Sequence, residues 1–193
     1  ITINEDTSHT LTSANFGFSD VDAGDSLSAV RIDALPGAGS LTLSGVAVTA
    51  GQVITVADIT AGNLVFTPAA DANGTGYASL TFSVRDSNNA YDATPNTLTL
   101  DVTPAHDAPV NTVPGAQSVA EDTPLSLSGV SVTDVDDNLS SVQLGVLNGT
   151  VAVTLQGGAT ISAGSNGTNT LTLSGSQADI NATLATLVYQ GTL

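Results

Sequence analysis

Two short acidic motifs occur twice in this sequence, in the same order, and carboxylates at such spacings could bind a divalent cation. The first copy has Glu5 followed by Asp20-Val21-Asp22, and the second has Glu121 followed by Asp134-Val135-Asp136. Calcium takes about six to eight oxygen ligands, which carboxylates from separate loops can supply together with backbone carbonyls and water. A repeat that keeps carboxylates in place, rather than polarity in general, indicates tandem modules built around cation sites.

The Asp-x-Asp spacing predicts a particular geometry. In an extended loop, residues two apart point the same way. We therefore expect Asp20 and Asp22 to converge on one ion, and Asp134 and Asp136 to converge on another. The valine between the two aspartates of each pair is expected to point the opposite way, towards the core.

The overall charge favours cations as ligands and disfavours polyanions. The chain has 2 Lys+Arg against 18 Asp+Glu, for a formal charge of −16. Such a field repels nucleic acid and anionic membranes, so neither is an expected partner. No stretch approaches the ~18 apolar residues of a membrane span, so membrane insertion is not expected either. The 41% hydrophobic fraction supports a packed core rather than disorder.

Cysteine is absent from the sequence, so disulfides and thiolate metal sites are excluded. A domain outside the cell then needs another source of rigidity, and bound calcium is a common one. This composition is compatible with an extracellular, cell-surface or secreted location.

Segments that alternate apolar residues with Thr or Ser dominate the chain and predict half-buried strands. Examples are residues 64–67, 79–84, 97–102 and 168–173. Clusters of Gly, Asn, Asp and Ser separate these segments, as expected for turns. The pattern predicts an all-β sandwich, with a helical turn only over residues 176–187.

The second copy of the repeat is shorter than the first. Ala57-Asp58-Ile59 matches Ala178-Asp179-Ile180, so the first copy continues through two further strands that the second lacks. An incomplete sandwich exposes strand edges. Three explanations stay open: a fragment of a longer protein, which we favour, a disordered or cleaved part, or a strand donated by a neighbouring chain.

The segment 103–111 separates the two copies. Pro104 and Pro109 stiffen it, so it is predicted to be a short spacer rather than a flexible tether. We therefore predict module 1 over residues 1–105, and a linker plus an incomplete module 2 over residues 106–193. Asp107, an acid in a stiff linker, is well placed to share a cation with both neighbours.

These residues together resemble bacterial cadherin-like modules. The resemblance rests on Glu5, Asp20-Val21-Asp22, Val84-Arg85-Asp86 and the linker His106-Asp107-Ala108-Pro109. Such modules occur in tandem in large, acidic, calcium-dependent surface adhesins of the RTX-adhesin type. The resemblance implies two tandem cadherin-like or Ig-like Greek-key β-sandwich modules, the second lacking its last strands.

The resemblance also implies a set of Ca²⁺ ligands at the module junctions. The internal junction would use Glu5, Asp107, Asp134 and Asp136. The implied ligands facing a preceding module are Asp20, Asp22 and Asp86, and Glu121 would serve a following one. Neighbouring repeat modules of the same or an adjacent chain would be the partners, with a host or cell-surface receptor as a further one.

Other functions fit the sequence less well. An isolated Asp-x-Asp is more often a solvated turn, but its repetition and the scarcity of basic residues favour calcium. The missing cleft and aromatic subsites argue against a glycosidase, so no enzyme is predicted. A calcium-rigidified adhesin or stalk segment is therefore the main prediction. The alternatives are a filament subunit assembled by strand donation and a ligand-recognition module.

Overall fold

β-Strands make up most of the secondary structure of this protein. The structure is a computed structural model, and it describes residues 1–120 and 122–192. The chain divides into two compact units, unit 1 (Ile1–Ala105) and unit 2 (His106–Leu193). The all-β class expected from the alternating segments is confirmed.

Unit 1 is formed by two β-sheets, a 3₁₀ helix over Ser13–Phe16 and the short helix α1. Its elements are β1 (Thr2–Asn4), β2 (His9–Thr10), β3 (Leu27–Ala34), β4 (Ser40–Leu43), β5 (Val46–Ala47), β6 (Val53–Thr55), α1 (Val56–Thr60), β7 (Leu64–Thr67), β8 (Gly74–Asp86) and β9 (Asn96–Thr103). One sheet has the order β1-β9-β8-β3-β6, and the other has the order β2-β7-β4-β5. β1 runs parallel to β9, whereas the other neighbours are antiparallel.

The two sheets of unit 1 share one apolar core. Val30, Ile32 and Leu100 from the first sheet and Leu64 and Phe66 from the second are all fully buried in the same cluster. The strands alternate buried and exposed positions, as in β9, because successive side chains point to opposite faces of a sheet. This arrangement is sandwich-like, with each sheet covering the apolar face of the other.

Unit 2 contains shorter sheets and the helix α2. Its elements are β10 (Val110–Thr112), β11 (Leu125–Ser126), β12 (Ser131–Thr133), β13 (Ser141–Gly145), β14 (Thr150–Ala152), β15 (Thr160–Gly164), β16 (Thr170–Ser174), α2 (Gln177–Leu184) and β17 (Val188–Gln190). The sheets have the orders β11-β17-β14, β13-β16-β15 and β10-β12. All of these pairs are antiparallel.

The predicted helix in the second copy is confirmed as α2. Its first turn is capped by Ser176, whose hydroxyl accepts a hydrogen bond from the Asp179 amide. Its inner face, with Ile180 and Leu184, packs into the core of unit 2. In unit 1, α1 is capped in the same way by Thr55 and Asp58. In the described part of the chain, no helix is both long and apolar enough to cross a membrane.

Candidate metal centre

The acidic loop of unit 1 forms a turn rather than an extended strand. The side chain of Asp20 accepts a hydrogen bond from the backbone amide of Asp22 at 2.9 Å, and the Asp25 amide donates to the Asp22 carbonyl at 3.2 Å. This geometry turns the chain back on itself, so the strand-like alternation expected for the motif does not apply. The expectation that Val21 points to the core is wrong, because its side chain is 96% exposed.

The second copy of the motif folds in the same way. The Asp136 amide donates to a carboxylate oxygen of Asp134 at 3.0 Å. Val135 is exposed, so the expectation of a core-facing valine is wrong here too. A side chain that accepts the amide two residues ahead is the local preference of aspartate, and it outweighs the drive to bury one valine.

The late acid Asp86 lies at the end of β8 and is buried. Its amide donates to the Ala90 carbonyl at 3.0 Å, and its Oδ1 accepts the Ala90 amide at 2.8 Å. Only 8% of the residue is exposed. Antiparallel pairing of β3 with β8 sets Leu27 opposite Asp86, which brings the acidic loop before β3 alongside this strand end.

Three carboxylates of unit 1 meet at this point. Asp20, Asp25 and Asp86 each offer one oxygen, and these oxygens all lie within 4.8 Å of one another. Asp22, a predicted ligand, is not a member of this group, and Asp25 takes its place. The predicted ligands Asp20 and Asp86 thus lie together within a single unit.

Asp25 was missed in the sequence because it lies outside the Asp-x-Asp motif. Its carboxylate is oriented by the loop after β8: Ser87 Oγ donates to it at 3.0 Å, and Asn88 Nδ2 donates to both oxygens at 2.8 and 2.9 Å. The sequence feature that could have identified Asp25 as a candidate ligand is its position just before β3. Antiparallel pairing of that strand with β8 brings the residues before Leu27 near those after Asp86.

A cleft of about 120 Å³ adjoins two of the three carboxylates and adds a fourth acid. Asp20, Asp86 and Asp92 line it, together with Phe18 and Tyr91. Asp92 Oδ2 accepts a hydrogen bond from Asn96, whereas its buried Oδ1 has no hydrogen-bond partner among the described residues. A buried carboxylate oxygen without a donor is costly unless a cation is bound nearby.

In the described part of the chain, neither arginine forms an ion pair with these carboxylates, although the charge of Asp92 is one of the causes that raise the pKa of Arg31. Arg31 binds Asp33, with Nε 2.5 Å from Oδ1, and also donates to Ser83. Burial alone would raise the pKa of Asp33, but the hydrogen bonds from Ser83 and Arg31 hold this pKa below its ordinary value. The same Asp33 contact raises the pKa of Arg31.

Glu5 in unit 1 is a buried carboxylate just after β1. Only 2% of it is exposed. Its Oε1 accepts the amide of Ala105 at 2.6 Å, and its Oε2 accepts from Asn73 at 2.8 Å. These contacts hold the carboxylate beside the last residues of unit 1.

The predicted ligands of unit 2 are linked through backbone amides. The Asp107 amide donates to Asp136 Oδ2 at 2.6 Å. Asp134 is 5% exposed, and its amide donates to the side chain of Gln177 at 2.6 Å. The start of unit 2 and its acidic loop are therefore held together within this unit, whereas the predicted ligand Glu121 lies outside the described residues.

These side chains have the donor atoms that a hard cation prefers. Their donors are oxygens from carboxylates, with amide and hydroxyl groups nearby, and this set suits Ca²⁺, Mg²⁺ or Mn²⁺ rather than softer metals. Comparison of the chain with protein-family models, with curated proteins and with solved structures found no match.

Proposed function

We propose that this chain is a calcium-binding structural segment of an extracellular adhesin or surface stalk, built from tandem cadherin-like Greek-key modules and without catalytic activity. The observation that carries the proposal is the meeting of Asp20, Asp25 and Asp86 in unit 1. Three carboxylates in one place repel one another, and a bound cation is the simplest relief.

Calcium fits this group better than smaller cations. Ca²⁺–oxygen distances are about 2.3–2.6 Å, so two ligands on opposite sides of one ion lie roughly 5 Å apart. Oxygens that lie within 4.8 Å of one another, as in this group, can be bound by one such ion. Mg²⁺ usually keeps several waters and binds through only one or two protein carboxylates, whereas this group offers three. The neighbouring Asp92 could add a further oxygen directly or through water.

The resemblance to cadherin-like modules implies a second calcium site. Its proposed ligands remain Glu5, Asp107, Asp134 and Asp136. Calcium binding by these residues would stiffen the chain, because a bound ion fixes side chains that otherwise repel. A stiff series of modules can extend far from a cell surface, which is the mechanical role proposed here.

The test of the first site is a calcium titration of the full chain by calorimetry. Asp25→Asn removes a carboxylate of the group, whereas Asp22→Asn removes the same charge from the same loop but outside the group. We expect Asp25→Asn to weaken this binding step at least about tenfold. Asp22→Asn should change it less than about threefold, through the long-range field alone.

The results that contradict the proposal are equally definite. Absence of calcium uptake at millimolar concentration would exclude the site. Equal weakening by both variants would show that calcium responds to the general acidity of the loop rather than to Asp20, Asp25 and Asp86. Small-angle scattering with calcium and with chelator tests the mechanical role, and an unchanged maximum dimension would refute it.

A further inference from the structure

The sequence Asn-Gly-Thr occurs three times in this chain, so one chemical reaction can be compared at three places. The three copies are Asn73-Gly74-Thr75, Asn148-Gly149-Thr150 and Asn166-Gly167-Thr168. An asparagine followed by glycine is especially prone to spontaneous deamidation, because glycine has no Cβ to hinder the attack of its backbone nitrogen on the asparagine side chain. All three asparagines are exposed. Neither local sequence nor exposure therefore distinguishes the three sites.

The reaction needs a free asparagine side chain and a free glycine amide. The glycine nitrogen attacks Cγ of the asparagine, the Cγ–Nδ2 bond breaks, and ammonia leaves with the proton of the glycine amide. Water then opens the resulting five-membered succinimide at either carbonyl carbon, which gives aspartate or isoaspartate. A hydrogen bond that fixes the side chain or the glycine amide must open first, so each such bond slows the reaction.

Both reacting groups are held at Asn166. Its Nδ2 donates to the Val153 carbonyl and its Oδ1 accepts the Val153 amide, each at 2.8 Å. The Gly167 amide donates to the Val151 carbonyl at 2.9 Å. Three hydrogen bonds must therefore open before the succinimide can form at this site.

Asn73 is held by one side-chain hydrogen bond. Its Nδ2 donates to Glu5 Oε2 at 2.8 Å. Gly74 is the first residue of β8 and lies opposite Val102 of β9. This pairing restricts the backbone rotation that ring closure requires.

Asn148 lacks these restraints. In the part of the chain that the structure describes, neither the Asn148 side chain nor the Gly149 amide makes a hydrogen bond. The carbonyl oxygen of Asn148 accepts a hydrogen bond from the Tyr189 hydroxyl. That oxygen belongs to neither of the two groups that form the new bond. The reaction is therefore open to Asn148 in the folded protein.

We propose that Asn148 is a modification site, at which the folded protein converts spontaneously to the aspartyl and isoaspartyl forms. The only co-reactant is water. Each event replaces a neutral amide with a carboxylate, so the formal charge of −16 becomes one unit more negative. The reaction requires neither calcium nor the function proposed above.

The isoaspartyl product should disturb the turn before β14. It lengthens the backbone by one carbon atom between Asn148 Cα and the Gly149 nitrogen. Gly149 is buried, and a Cβ added to it would clash with the Gln190 carbonyl oxygen. The next residue, Thr150, pairs with Gln190 of β17. Because the space around Gly149 is so tight, isoaspartate should loosen the pairing of β14 with β17.

The test incubates the full chain under mildly alkaline conditions, which favour loss of the glycine amide proton, and measures deamidation at each site by peptide mass spectrometry. Each hydrogen bond that must open lowers the reactive population by roughly fivefold, so Asn148 should react about 25-fold or more faster than Asn166 and about fivefold or more faster than Asn73. In the chain unfolded by urea, the three sites should react at nearly equal rates because their local sequences match.

The matched control is Asn148→Gln, which keeps an exposed amide but cannot close a five-membered ring. After prolonged incubation, the original chain should lose hydrogen-exchange protection at the Val151 amide, which donates to the Thr168 carbonyl. Asn148→Gln should keep this protection. The comparison of rates uses the original chain alone, so it stands even if the variant does not fold.

Two results would overturn the proposal. One is a rate at Asn148 in the folded protein that is no faster than the rate at Asn166. The other is deamidation of Asn148 only after unfolding, which would show that the turn protects it. Unchanged exchange at Val151 in fully deamidated protein would refute the predicted effect on β14.

Discussion

Calcium should stabilise unit 1, and Asp86→Asn should abolish that stabilisation without destabilising the calcium-free protein by a comparable amount. Asparagine has the shape of aspartate and keeps the oxygen that accepts the Ala90 amide. The substitution removes one negative charge from the group that Asp86 forms with Asp20 and Asp25. The effect of charge is thereby separated from the effect of packing.

The stabilisation of the native state by calcium, here called the calcium increment, can be calculated from the dissociation constant and the calcium concentration. Extracellular calcium modules bind with dissociation constants of about 10⁻⁴–10⁻³ M. At about 10 mM Ca²⁺ this gives roughly 1.4–2.7 kcal/mol of stabilisation of the native state. For a unit of this size, about 4 °C of Tm accompanies each kcal/mol, so Tm should rise by roughly 6–11 °C.

The calcium-free protein should respond differently. Two unit charges no more than 4.8 Å apart repel by at least about 0.9 kcal/mol in a water-like dielectric. Asp86→Asn relieves two such repulsions, but the neutral oxygen is a weaker hydrogen-bond acceptor, which costs roughly 1 kcal/mol. The variant should therefore lie within about 1 kcal/mol of the original protein in chelator.

Thermal unfolding in chelator and in calcium measures both quantities. Hydrogen exchange at Val30 and Leu80, in the core of unit 1, assigns the change to this unit. Asp22→Asn is the matched control and should keep the full calcium increment. A variant Asp86→Asn that still gains the full increment would refute the assignment of Asp86, and one much less stable in chelator would show that Asp86 has a purely structural role.

Two further predictions concern other parts of the fold. Because the pKa of Asp33 is lowered in the folded state, its contribution to stability is present above its ordinary pKa of about 3.9 and is lost as the pH falls through the lower folded value. Asp33→Asn should thus be less stable near neutral pH and lose less stability on acidification, as measured by urea unfolding at several pH values; an unchanged pH profile would contradict this. Ser176→Ala should destabilise unit 2 by about 1 kcal/mol through loss of the α2 cap, whereas Ser176→Asp should largely retain the stability, as measured by urea unfolding.

Local patterns in the sequence were sufficient for the fold class and for several elements. Alternation of apolar and small polar residues predicted strands such as β7 and β9, and the spacing of Ile180 and Leu184 predicted α2. These predictions succeed because each depends on residues close together in the chain. The predicted orientation of the valines in the acidic loops was wrong for a local reason as well. The hydrogen bonds accepted by Asp20 and Asp134 turn the chain and expose the intervening valines.

The repeat shows most directly what the sequence could not decide. Residues 118–120 match β1, yet they form no strand, because a strand requires a pairing neighbour that local sequence does not supply. Val142 has the same identity and position as Val30 but is only half-buried. Segments that match between the two copies therefore differ in structure where the segment of unit 1 pairs with β8 or β9.

The sequence by itself determined that this protein is an acidic, all-β repeat with carboxylates placed alike in its two copies. Composition and periodicity fix these properties, and they need no knowledge of distant contacts. Only the tertiary structure decided which carboxylates meet. Asp25 joins Asp20 and Asp86 because β3 pairs with β8 across about 60 residues of chain, and only that pairing brings the loops before and after these strands together.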